Sequence, residues 1–368
     1  MDNIAKVMNM GKKRVIIWST DIIKLMEGKP IGGLAVQMYF WAQTFVANKW
    51  KVFSFAKNAK SRVILDGIEF RPKKNIQRIN FILEWWQAIK FILILRPELL
   101  IFRGSSRQLL SLSLFARLFA VKLVLFGASD SDFEINRVPA GSTKLDRLMY
   151  LRSIRRICYF VSQNQYQHNM LLSNFGKESL IQFNIWGHSK VDFEDCSPES
   201  DVVWVANLRK LKRAEWVLEA AENLPDFRFV LAGGRTGEAG YYDTIQKQSE
   251  MLSNVVFLGG RSFFYVNDLV GKSHVLLCTS IYEGFPNTFL QAWSASIPVI
   301  STVDPSDVIK TYHLGVVVKS EEELRDALKL VLNDSNYYSF LKQSISTFFI
   351  KNHSAQIGYE NVINYIYK

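Results

Sequence analysis

The 368-residue chain has little cysteine. Cys158, Cys196 and Cys278 are odd in number, far apart, and form no C-x-x-C pair. That argues against a disulfide framework or a zinc knuckle and fits a reducing compartment. The five histidines (His168, His188, His274, His313, His353) show no metal-ligand spacing. No Ser-His-Asp or Cys-His constellation is readable. No apolar run is long and clean enough to span a bilayer. Phe91–Leu95 and Leu99–Phe102 are separated by Arg96, Pro97 and Glu98, and 109–126 contains Arg117 and Lys122. Lys12, Lys13 and Arg14 precede only four apolar residues, 15–18, which read as a first strand and not as the core of a secretory signal. The expectation is a cytoplasmic protein. Low-complexity tracts and short repeats are also missing.

What is present is apolar material for two cores. The hydrophobic fraction is 48% and the length suits two domains. The net charge of +11 is unevenly spread: residues 1–190 hold 29 Lys and Arg against 12 Asp and Glu, and residues 191–368 hold 16 against 22. A basic half suggests an anionic partner, whether nucleic acid, an acidic membrane or a phosphorylated acceptor. The plainer alternative is a solvated surface.

Short apolar runs alternate with longer amphipathic stretches. Strands are expected at 15–18, 51–55, 99–102, 123–126 and 159–162, with helices at 34–48, 80–95, 109–120 and 144–154. The rhythm restarts with strands at 202–206, 229–232, 255–258, 275–278 and 299–301 and helices at 214–223, 287–296, 321–332 and 337–349. This is the βαβ pattern of parallel sheets covered on both faces. The expected class is α/β, with two Rossmann-like doubly wound domains, 1–188 and 189–349, facing a central cleft. The amphipathic stretch 357–367 ends the chain. Open parallel sheets bind ligands at the carboxyl ends of their strands.

The strongest motif is Tyr282-Glu283-Gly284-Phe285-Pro286-Asn287-Thr288-Phe289-Leu290-Gln291-Ala292-Trp293, followed by Ile297-Pro298-Val299-Ile300. It leaves a strand, turns at Gly-Phe-Pro and enters a helix. Free backbone N–H groups at such a helix start suit a diphosphate. Glu283 is placed to accept hydrogen bonds from sugar hydroxyls, and Gln291 lies about two helical turns on. The second motif, Asn207-Leu208-Arg209-Lys210-Leu211-Lys212-Arg213, puts four cations in five residues at a helix start. The helix dipole repels cations there, and an anionic ligand would resolve the conflict. A third feature is Gly32-Gly33 after the first strand. A fourth is Gly127-Ala128-Ser129-Asp130-Ser131-Asp132, read either as a sugar or acceptor contact or as an Asp-rich turn capping a helix. Arg103, at a strand end, reads equally as a contact to a phosphorylated acceptor or as a structural pair. Trp85-Trp86 reads as core before membrane contact.

The segment around Glu283 resembles the E-x7-E region of family 4 retaining glycosyltransferases of the GT-B fold, with Gln291 where the family has its second acid. The resemblance is strong over 200–302, weaker over 30–56 and 97–190, and faint at the C-terminus. It implies a nucleotide-sugar donor held by the second domain and an acceptor held by the first. It also implies that 350–368 crosses back onto the first domain. Glu283 would orient the sugar, while Arg209 and Lys212 would stabilise the leaving diphosphate. Gly32, Gly33, Gly284, Phe285, Pro286, Asn287, Thr288 and Gln291 would line the donor site. Arg103, Ser129 and Asp130 would face the acceptor, and no metal is required. The implied activity is transfer of a hexose-type sugar, with retained configuration, to a glycan or lipid-linked phosphate acceptor in surface polysaccharide synthesis. No cofactor is expected, the donor being a UDP- or GDP-sugar. Peripheral contact with the inner face of an anionic plasma membrane is expected, and no nucleic acid. The alternatives are a non-catalytic or nucleic-acid-binding GT-B protein and a sugar-nucleotide epimerase.

Overall fold

The computed structural model describes residues 13–29, 32–57, 59–74, 81–135, 143–187, 200–238, 240–283 and 285–368. The chain divides into two compact units. Residues 1–26, 34–187 and 355–368 form the first, and residues 27–33 and 188–354 form the second.

The first unit runs β1 (Arg14–Ile17), α1 (Ile22–Met26), α2 (Gly33–Ala47), β2 (Lys51–Lys57), β3 (Val63–Leu65) and β4 (Ile68–Lys73). It continues with α3 (Phe81–Leu95), β5 (Leu99–Arg103), α4 (Gln108–Leu118) and β6 (Lys122–Phe126). Then come α5 (Lys144–Ile154), β7 (Tyr159–Ser162), α6 (Gln165–Phe175) and β8 (Leu180–Ile181). The strands lie in the order β3-β4-β2-β1-β5-β6-β7-β8. All pairings are parallel except β3 with β4. The strands are nearly unbroken apolar runs because helices cover both faces. One core cluster joins Ile16, Phe53, Leu100 and Leu125 to Ile92, Leu112 and Ile154 of the flanking helices.

The second unit runs β9 (Ser200–Val205), α7 (Ala214–Asn223), β10 (Phe229–Ala232), α8 (Tyr241–Ser249), β11 (Val255–Gly259) and α9 (Phe263–Gly271). It continues with β12 (Ser273–Cys278), α10 (Asn287–Ser294), β13 (Val299–Ser301), α11 (Val308–Tyr312) and β14 (Gly315–Val317). Helices α12 (Glu321–Asn333) and α13 (Ser335–His353) close it. Its strand order is β11-β10-β9-β12-β13-β14, all parallel. Ser354, with extended backbone, ends α13. The last helix, α14 (Ala355–Tyr367), belongs to the first unit. There Trp50 donates to the Tyr359 hydroxyl at 2.8 Å, and Lys122 donates to the Ile366 carbonyl at 3.1 Å.

Most expected elements form with ends shifted by a residue or two. Several elements carry weaker sequence signals. The β3–β4 hairpin turns at Asp66-Gly67, both at positive φ, the Asp-Gly pair that two-residue hairpins favour. Helices α6, α8 and α9 are short, and α8 and α9 follow glycines. Trp86 is not core: it is 65% exposed, along with Ile82, Leu83, Leu93 and Ile94 of the same helix. No helix among the described residues is long and apolar enough to cross a membrane.

Candidate active site

In the second unit, the strand order makes β9 and β12 neighbours at the point where the winding reverses. The helices leaving these two strands start on opposite sides of the sheet, so their loops part and leave a crevice. Lys212 stands in the loop after β9, and Glu283 stands in the loop after β12. Their side chains form an ion pair across that crevice. The Ser280 hydroxyl donates to the same Glu283 carboxylate oxygen at 2.8 Å. Both side chains are partly exposed, so the pair is open to a ligand.

The loops are laced together beneath the pair. Trp204 of β9 donates its indole N–H to the Thr279 hydroxyl at 3.0 Å. That hydroxyl lies 2.6 Å from the Lys212 carbonyl and 3.0 Å from the Arg213 carbonyl, and donates to them. Ile281 N–H donates to the Leu211 carbonyl at 2.8 Å. Arg213, at φ 48°, turns back so that its Nε donates to the Thr279 carbonyl at 2.7 Å. Its guanidinium lies 3.9 Å from the Trp216 ring, and partial burial lowers its pKa. Cys278 is buried below, which raises its pKa. The β10 loop approaches so closely that a Cβ on Gly233 would run into the Ala206 carbonyl.

The remaining expected donor residues are placed as follows. Arg209 is exposed, and its carbonyl accepts from the Lys212 N–H at 2.8 Å. Pro286 precedes the first turn of α10, and Asn287 and Thr288 open that helix, half-buried. The Phe285 ring is buried against Trp293 and His353, so its side chain is core. Gln291 is also buried, at 4% exposure, and its amide nitrogen has no hydrogen-bond partner among the described residues. Gly284 lies outside the described residues. Gly32 is exposed, and a Cβ on Gly33 would meet the Asn287 amide. Gly33 and Asn287 both belong to the second unit.

In the first unit Arg103 is buried and donates to Asn184 at 2.6 Å. Burial lowers its pKa to about 10, with Asp132 acting in the opposite direction. This buried pairing fits the structural reading of Arg103. Ser129 caps a short turn over Asp130–Asp132. Asp132 accepts from the backbone N–H groups of Ala128 and Ser129 at 2.7 and 3.1 Å, and burial raises its pKa. Asp130 accepts from Asn164 and Gln167 at 3.1 and 3.0 Å. The two carboxylates thus serve different partners: Asp132 takes backbone N–H groups and Asp130 takes side-chain amides. No group of three or more His, Cys, Asp or Glu is placed to hold a metal among the described residues.

Sequence reasoning passed over Thr279, Ser280 and Arg213. The first two directly follow the β12 strand, and that position was their available signal. Arg213 was counted only as charge, since its turn back onto Thr279 depends on a positive φ.

Residues 196–346 match the family model described as "Glycosyl transferases group 1". A comparison with curated proteins finds no match. Among solved structures, the chain is similar to sucrose-phosphate synthase from Thermosynechococcus elongatus, at 11% identity and TM-score 0.72, covering 97% of this chain and 99% of that one. It is similar to a glycosyltransferase from Rickettsia africae ESF-5, at 13% identity and TM-score 0.72, with the same coverage. It also resembles the apo form of the lipopolysaccharide outer core galactosyltransferase WaaB, at 17% identity and TM-score 0.64, covering 96% and 99%. At these identities the likenesses establish the fold. With two parallel-dominated α/β sheets and a glycosyl transferases group 1 domain in its second unit, the chain is a glycosyltransferase of the GT-B fold.

Proposed function

We propose that the enzyme transfers a hexose-type sugar, with retained configuration, from a nucleoside-diphosphate donor. The acceptor in this reading is a glycan or lipid-linked phosphate of surface polysaccharide synthesis. The enzyme would act in the cytoplasm, in peripheral contact with an anionic membrane. The observation that carries the donor half is the Lys212–Glu283 pair at the switch point of the second sheet.

A cation and a carboxylate held side by side suit the two ends of a nucleotide-sugar. Lys212 meets the diphosphate, with the exposed Arg209 as a second cation. Glu283 then exchanges the lysine for sugar hydroxyls. As the glycosidic bond breaks, negative charge grows on the departing phosphate, and the two cations stabilise it. The backbone N–H groups at the start of α10 add to that field. No side chain in this arrangement is assigned as a covalent nucleophile. Rate enhancement comes from positioning and electrostatics. The donor is a UDP- or GDP-sugar in this reading, and no cofactor is involved.

The test is thermal stabilisation by UDP, GDP, ADP and CMP in the wild type, Lys212→Ala and Glu283→Ala. One diphosphate should stabilise the wild type, and Lys212→Ala should weaken that response. If no nucleotide stabilises the protein, the donor reading is lost.

A further inference from the structure

The first unit contains a second crevice at its own winding reversal, between β1 and β5. A cavity of about 320 Å³ opens there, lined by Trp18, Ser19, Leu34, Ser106 and Gln108 at the strand ends. The β4 strand carries Lys73 into its wall. Lys73 is only 8% exposed. Its Nζ lies 4.5 Å from the centre of the Trp18 ring and 3.4 Å from the Gln108 side-chain oxygen. It has no carboxylate in ion-pair contact among the described residues, and burial lowers its pKa to about 8, with the charge of Glu84 acting upward and that of Lys57 downward. Lys57 and Lys74 line the same cavity. The two carboxylates at its edge are engaged elsewhere: Glu84 with Arg107 at 2.9 Å and Asp21 with Lys24 at 2.8 Å. A buried ammonium with no carboxylate in contact is costly, and an anion entering the cavity would supply a partner closer than Glu84, which faces Lys73 but is bound to Arg107.

A larger, apolar groove of about 830 Å³ adjoins it. Lys73, Lys74 and Gln87 line both spaces. The groove follows α3 past Leu83, Trp86, Leu93 and Ile94, with Lys60 and Lys90 also in its lining. Four of the exposed apolar side chains of α3 are at least 49% accessible: Leu83, Trp86, Leu93 and Ile94. A polar, cationic chamber opening into an apolar channel matches one kind of molecule.

We infer that this bipartite crevice binds a single-chain anionic amphiphile, its phosphate or carboxylate head against Lys57, Lys73 and Lys74 and its hydrocarbon chain along α3. The inference rests on the proposed function, whose acceptor class it narrows to a lipid phosphate and whose acceptor site it moves away from Arg103, Ser129 and Asp130. Charge complementarity selects the anionic head, and the exposed apolar side chains of α3 select the chain. Trp18 holds the Lys73 ammonium in place by its ring face, and Gln108 orients it by hydrogen bonding.

The test is calorimetric titration of the full chain with farnesyl phosphate below its micelle concentration, against farnesol and inorganic phosphate. Farnesyl phosphate should bind at least about tenfold more tightly than either. Lys73→Met should weaken it by about tenfold, and the doubly substituted Leu93→Gln, Ile94→Gln protein, altered only at exposed sites, by about fivefold. Equal binding of farnesol and farnesyl phosphate, or affinity untouched by Lys73→Met and by the double substitution, overturns the inference. Binding only to phosphatidylglycerol vesicles, with no response to the soluble amphiphile, also overturns it and makes α3 a membrane-contact face. Nucleotide-induced stabilisation is measured in parallel on each variant. Its survival shows that the protein is folded and that the amphiphile site, and not the donor site, has failed.

Discussion

The Thr279 hydroxyl accepts a hydrogen bond from the indole N–H of Trp204 and donates one to the carbonyl of Lys212. The lysine and its carboxylate partner therefore stand on two loops that one buried hydroxyl joins. Thr279→Val removes that joint and leaves the Trp204 N–H buried without an acceptor. The expected loss is about 1–3 kcal/mol, because an unmet buried donor costs more than the bond gained. Urea unfolding should show a lower midpoint with an unchanged slope, and nucleotide affinity should fall as the loops drift apart.

Lys212→Met should lower affinity for the stabilising nucleoside diphosphate by about tenfold, the equivalent of one charge-assisted hydrogen bond. The unligated protein should lose little, since a partly exposed ion pair contributes about 0–1 kcal/mol. Glu283→Gln should behave differently, with diphosphate affinity kept and turnover lost. A variant with equal losses of nucleotide binding from both substitutions would show that the pair acts as one structural unit.

Gln291 sets stability against binding. Its buried amide nitrogen has no partner among the described residues, and Gln291→Met would replace it with an apolar side chain of similar volume. The unligated protein should gain about 1 kcal/mol, the relief of an unmet buried donor. If Gln291 meets the ribose, the same variant should give a smaller nucleotide-induced thermal shift. A gain in stability with the nucleotide response intact would assign Gln291 to packing alone.

Lys73 should give the protein a pH-dependent stability. Its folded pKa is about 8 against an ordinary 10.5. Between those values the unfolded chain binds more protons than the folded one, so stability rises with pH. The cost of holding the charge is fully present below pH 8 and falls as pH climbs toward 10. The ceiling is about 3 kcal/mol. Above pH 10 the tyrosines whose pKa burial raises, Tyr39 among them, reverse the trend. Denaturation at pH 7 and pH 9.5 should show the rise in the wild type, and Lys73→Met should flatten it. A bound anionic amphiphile should flatten it too, by holding the proton on Lys73.

Much of this was legible in the residues. Alternating apolar runs marked nearly all the central strands, and the run from Glu283 through Pro286 to Trp293 marked a strand-turn-helix at a sheet end. The roles of single side chains were less legible. Phe285 and Gln291 lie within the motif and are buried, whereas Trp86 lies in an apolar run and is exposed. Burial sums contributions from distant segments, so local spacing does not decide it. The Asp66-Gly67 turn was a readable hairpin signal, and missing it hid the strand that carries Lys73.

The sequence by itself determined the βαβ rhythm, the restart of that rhythm in a second unit, and which loop follows which strand. Those features depend on near neighbours: side-chain period, turn residues and helix starts. Only the tertiary structure decided that β9 lies beside β12, which brings Lys212 to Glu283 across 71 positions of chain. It alone laid Lys73 over Trp18. Strand order comes from how crossover helices pack on a twisted sheet, a balance of contacts far apart in sequence. Motifs name the groups that can do chemistry, and strand order decides which of them meet.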